Sequence, residues 1–112
     1  MPNHHHFVIR LIGGTVLADK SPEIHVGDTV TYTSPDGKAR VEFPDSTPYS
    51  VREIHNAHDH LVRSPGLFEF HCFITPHGQT KEVGWSEEHP EAGGEHDVKP
   101  GLTDPPPPDP TT

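Results

Sequence analysis

The residues of this 112-residue chain best suited to chemistry are one cysteine, Cys72, and eleven histidines. Cys72 lies in the stretch PGLFEFHCFITPHGQ, residues 65–79, and His77 follows it by five positions, between Pro76 and Gly78. Proline and glycine break a strand there, so the loop can turn the imidazole back toward the sulfur. A thiol and an imidazole so placed form half of a soft-metal site, or a nucleophile with its base. As a catalyst the pair would need Asp59 or Glu69 to orient the histidine, and no oxyanion-hole signature stands beside the cysteine. The expectation is therefore a binding protein, not an enzyme. Further imidazoles are at hand in His55, His58 and His60, and in His71, the residue before the cysteine. His89 and His96 stand among Glu87, Glu88, Glu91, Glu95 and Asp97 and read as part of a solvated acidic tail.

The elements that must position these groups are strands. Phe68, Phe70 and Cys72 alternate with Glu69 and His71, which puts the thiol on the same face as two aromatic rings and turns His71 away from it. Residues 5–12, HHFVIRLI, end at Gly13-Gly14 and read as a first strand and turn. A second apolar run covers 15–26, and TVTYT, residues 29–33, alternates strictly. Ser34-Pro35-Asp36-Gly37 predicts a turn, with Ala39 to Phe43 returning as the second arm of a hairpin. A weak run follows at Tyr49 to Ile54. For the histidine patch, a helical turn would align His55 with His58, and a strand would align His58 with His60. Thr80 to Trp85 reads as the closing strand. The sequence thus predicts one small domain over residues 5–85 and a disordered polar tail over 86–112, ending in PPPPDPTT.

Composition narrows the function classes. Seventeen acidic against eight basic residues give a formal charge of −9, which argues against nucleic acid and anionic membranes, since both need a cationic face. No apolar run approaches the length of a membrane span, and no export signal is visible, so the expected location is cytoplasmic if Met1 is the native start. A lone cysteine excludes an internal disulfide. The excess of histidine points to metal.

Several short strands at close turn spacing indicate an all-β sandwich or barrel. The runs IHVGDTVTYTSPDGKARVEF and PGLFEFHCFITPHG, taken in order, resemble the cupredoxin family of blue copper proteins over about residues 7–85, most specifically in Phe68-x-Phe70-x-Cys72 with His77. The resemblance implies a cupredoxin-like Greek-key β-sandwich, copper as cofactor, and a redox or copper-donor protein as partner; the family is usually exported. It implies Cys72 as thiolate ligand and His77 as imidazole ligand. The family's first histidine falls at Ala39, which cannot bind copper. Its axial methionine is also missing, with Gln79 the nearest substitute. The third imidazole would come from His55, His58 or His60, since His71 points away. An incomplete type 1 site favours copper capture or sensing over fast electron transfer. The alternative is a metal-free module of the same fold that binds a protein partner, with Cys72 as a small buried hydrophobe.

Overall fold

A computed structural model describes residues 2–55 and 58–101. Ten strands, β1 (His4–Ile12), β2 (Thr15–Ala18), β3 (Ile24–His25), β4 (Thr29–Thr33), β5 (Gly37–Glu42), β6 (Glu53–His55), β7 (Asp59–Leu61), β8 (Gly66–Pro76), β9 (Val83–Gly84) and β10 (Gly93–Lys99), are joined by loops and one 3-10 turn at Pro90–Ala92. Among the described residues no helix is long and apolar enough to cross a membrane.

The strands form two sheets, ordered β2-β1-β4-β7 and β3-β10-β8-β5-β6, with β9 also on β8. Period-2 alternation supplies the apolar face of each. Phe7 and Ile9 of β1 and Val30 and Tyr32 of β4 point inward from the first sheet. Ala39 and Val41 of β5, Phe68, Phe70, Cys72 and Ile74 of β8, and Val98 of β10 point inward from the second. The all-β sandwich expected from the sequence is therefore the fold. The Gly13-Gly14 turn is a two-residue hairpin with φ of 59° and 83°, a conformation that glycine adopts without steric cost and that matches the twist of the flanking strands.

Three local expectations are corrected. β4 and β5 are not the arms of a hairpin: β4 pairs with β1 in parallel and with β7, while β5 pairs with β6 and β8. The turn at residues 34–36 carries the chain from one sheet to the other, because the inward residues of both strands must meet across the core. The closing strand is not Thr80–Trp85, of which only Val83 and Gly84 pair, with Ile74 and Phe73. The fold also does not end at residue 85. β10 lies inside the second sheet, antiparallel to β8 from Gly93↔His71 to Val98↔Gly66 and parallel to β3. The remainder of the expected tail, residues 102–112, lies outside the described residues.

Candidate functional site

Cys72 sits in the middle of β8, fully buried. Its Cα partner across the ladder is Val41, and its carbonyl accepts the Trp85 N–H at 3.0 Å. Burial pushes the thiol well above its ordinary pKa, so the thiolate that would bind a metal is strongly disfavoured. β8 does not stop after the cysteine. It continues to Pro76, paired with Gly37 of β5, and only then does His77 enter a turn. Five residues of extended chain at a rise of about 3.3 Å place the two Cα atoms roughly 16 Å apart. His77 is exposed, with its N–H on the Asp36 carbonyl and Nε2 donating to the Pro35 carbonyl, both at 3.1 Å. The expected return of the loop toward the sulfur does not occur, because pairing with β5 keeps the strand straight.

The other expected ligands are dispersed as well. Gln79 is exposed, its N–H on the Pro76 carbonyl. His55, on β6 at the edge of the second sheet, is exposed beside Glu53 at 3.2 Å. His58 is exposed just before β7, and His60 belongs to β7 in the first sheet, its ring centroid 5.7 Å from that of Tyr49. The patch is thus divided between the two sheets, with His55 paired to Arg40 and His60 to Val30; the helical-turn alternative for His55 and His58 runs through residues 56–57, which lie outside the described residues. Burial, with His58 adding, lowers the pKa of His60, and its buried Nε2 has no partner among the described residues. His71 faces away from Cys72 as alternation requires. It stacks on Trp85 with centroids 3.7 Å apart and planes 8° apart, and Nε2 is 2.8 Å from Glu69.

At the position expected for the first histidine, Ala39 is buried in the core. Arg40 points outward, where it meets both oxygens of Glu82 at 2.9 and 2.8 Å, reaches Glu53 and Glu42, and lies 4.2 Å above the Phe73 ring. A type 1 copper site does not fit at Cys72: the thiol is buried in the core opposite Val41, the position expected for the first histidine is an alanine, and the second imidazole lies at the end of the strand. Among the described residues no three or more His, Cys, Asp or Glu side chains are gathered so as to hold a metal ion.

Three groupings of polar side chains were not expected. On the outer face of the first sheet, the Thr31 hydroxyl donates to Asp59 Oδ1 and accepts from His4 Nε2 at 3.1 Å. The Thr29 hydroxyl donates to His4 Nδ1 at 2.7 Å. His6, two residues along the same strand and so on the same face, lies 2.6 Å from Thr33 Oγ1. In the core, His96 of β10 is wholly buried, with Nδ1 2.6 Å from Ser21 Oγ and Nε2 2.9 Å from the Tyr32 hydroxyl, which is itself 2.6 Å from the Tyr49 hydroxyl. Asp28, also buried, accepts the Asn3 and His25 N–H groups at 2.9 Å each and meets His5 Nε2 at 2.8 Å. Burial opposes its ionisation, yet these donors hold its pKa below the ordinary carboxylate value. One signal for His96 was present in the sequence: in GGEHDVK it alternates with Val98.

No protein-family model matches the chain, and no curated protein matches it. Among solved structures it is similar to a copper(I) form of an amicyanin variant, with a TM-score of 0.42 and 21% identity over 82% of this chain and 80% of that one. It is similar also to a reduced copper(I) form of a second amicyanin variant, at 0.40 and 19% over the same shares. A blue copper oxidase from Nitrosomonas europaea matches at 0.38 and 14%, over 96% of this chain and 41% of that one.

Proposed function

We propose that the protein binds copper on the outer face of its four-stranded sheet, through His4, His6 and Asp59, and that Cys72 is not a ligand. The observation that carries this reading is the Thr31 hydroxyl, which touches His4 Nε2 and Asp59 Oδ1 at once. The carboxylate and the imidazole nitrogen converge on one hydroxyl oxygen, so a metal ion could take the place of that hydroxyl between them, with the His4 Nε2 proton released to solvent and the nitrogen lone pair turned to the ion. As the side chains stand the three are not gathered on one point; His6, whose ladder partner is Thr31, would complete a set of two imidazoles and one carboxylate by turning from Thr33 toward Thr31 when the ion binds. Among first-row divalent ions such a set holds copper(II) most tightly, which agrees with the copper implied by the sequence resemblance. The function is capture of the ion, not catalysis. A copper-donor or redox partner meeting a surface of formal charge −9 would present a basic face.

A second reading is a metal-free sandwich that binds a protein partner, favoured by the apolar closure around Cys72 and Ala39. Titration of the full chain with copper(II), followed by visible absorption and melting temperature, separates the readings. The proposal expects weak ligand-field absorption, no intense thiolate-to-copper band, and a rise in melting temperature, since an ion that binds only the native state stabilises it. His4→Ala with His6→Ala should abolish the effect and Cys72→Ala should not. An intense band lost in Cys72→Ala would place copper in the core and overturn the proposal. No rise in melting temperature would leave the metal-free reading standing.

A further inference from the structure

The chain has only two tyrosines, and both lie in one buried line of hydrogen bonds, Tyr49–Tyr32–His96–Ser21. The direction of that line follows from counting protons. Ser21 Oγ donates to the Pro22 carbonyl at 3.3 Å, so it accepts from His96 Nδ1–H. His96 Nε2 is then a bare lone pair and accepts from the Tyr32 hydroxyl, leaving the Tyr32 oxygen to accept from Tyr49. In the other tautomer the Tyr49 hydroxyl hydrogen has no acceptor among the described residues. Only the first arrangement gives every hydroxyl and ring nitrogen of the line a partner.

Tyr32 therefore points its phenolic proton at a base 2.9 Å away, inside a core that excludes water. Loss of that proton without loss of an electron is closed off, because burial first, then Tyr49 and Cys72, holds the phenol far above its ordinary pKa. Loss of both together is not. The imidazolium that results would lie against Phe70, whose ring stacks on His96 with centroids 4.4 Å apart, and an aromatic face stabilises a cation. The Tyr49 hydroxyl, donating at 2.6 Å, stays on the Tyr32 oxygen throughout.

We infer that Tyr32 is a one-electron redox site whose proton is taken by His96. One electron passes from the phenol to a high-potential one-electron acceptor at the surface, such as an oxidised metal complex. The O–H bond breaks and the proton moves to His96 Nε2, leaving a neutral tyrosyl radical beside an imidazolium. Reduction returns the electron to the oxygen and the proton from Nε2. Tyr49 and Ser21 are positioning residues: one donates to the radical oxygen, the other fixes the tautomer. The inference does not depend on copper binding.

The test is photochemical oxidation of the full chain by tris(bipyridine)ruthenium(III), generated by flash and quench, with transient absorption and electron paramagnetic resonance as readouts. A tyrosyl spectrum is expected, slowed in deuterated solvent, absent in Tyr32→Phe, and kept in Tyr49→Phe with the resonance shift of an oxygen that has lost a hydrogen-bond donor. Removal of the base in His96→Gln should slow formation about a hundredfold, within the range a positioned proton acceptor supplies. Where that variant does not fold, the solvent isotope effect on the native chain tests the same transfer. A signal confined to Trp85, a tyrosyl signal that survives Tyr32→Phe, or a rate indifferent to deuteration would overturn the inference.

Discussion

Ala39 and Cys72 are diagonal neighbours on one inner face: in the β5–β8 ladder Ala39 is the partner of Ile74 and Val41 is the partner of Cys72. Diagonal side chains of paired strands lie within reach of one another. The position at which the sequence resemblance expects a first histidine is thus diagonal to the sulfur, within reach of a longer side chain.

That relationship predicts the effect of Ala39→His. The larger ring in a packed core should cost about 1–3 kcal/mol of stability without metal. With copper(II) added, an intense thiolate-to-copper absorption should appear that the native chain lacks. Its absence from a folded variant would mean that the two side chains do not share the face assigned to them.

Cys72 itself should behave as a small hydrophobe. We expect no reaction with thiol reagents until the chain unfolds, because the buried thiol does not ionise. Cys72→Ser should cost about 1–3 kcal/mol in urea melts, since it buries a hydroxyl among apolar side chains, and it should cost more than Cys72→Ala. Equal losses in the two variants would contradict an apolar setting for the sulfur.

Stability should fall in mild acid through His96. Burial first, and the neighbouring His5 second, lower its pKa from 6.5 to about 4, and it is further enclosed by Tyr32, Phe7, Phe43, Phe70 and Ser21. The fold holds the neutral ring, while the unfolded chain takes up a proton below 6.5. Stability is therefore intact above that pH, declines as pH falls from 6.5 toward 4, and levels off below, with a loss on the order of 3 kcal/mol. His60, also lowered by burial, adds loss of the same sign. Denaturation midpoints across this range should show the decline in the native chain and a much shallower one in His96→Gln. Parallel curves for the two would remove His96 as the cause.

What the sequence by itself determined is local. Alternation in TVTYT and FEFHC follows from the two-residue repeat of an extended chain, so the strands β4 and β8, their inner faces, the turning away of His71 and the all-β class were legible in it. The tertiary structure decided what depends on pairing between distant segments. β5 holds β8 straight past Cys72 and so separates His77 from the sulfur. Two different sheets claim His55 and His60. The acidic segment after Trp85 looks like solvated tail because few of its residues are apolar, yet β8 and β3 offer it two edges at once. Those backbone bonds, with His96 and Val98 buried beneath them, make a core strand of it, and a hydrogen-bond partner seventy-odd positions away, Ser21 to His96, is a contact that no local pattern encodes.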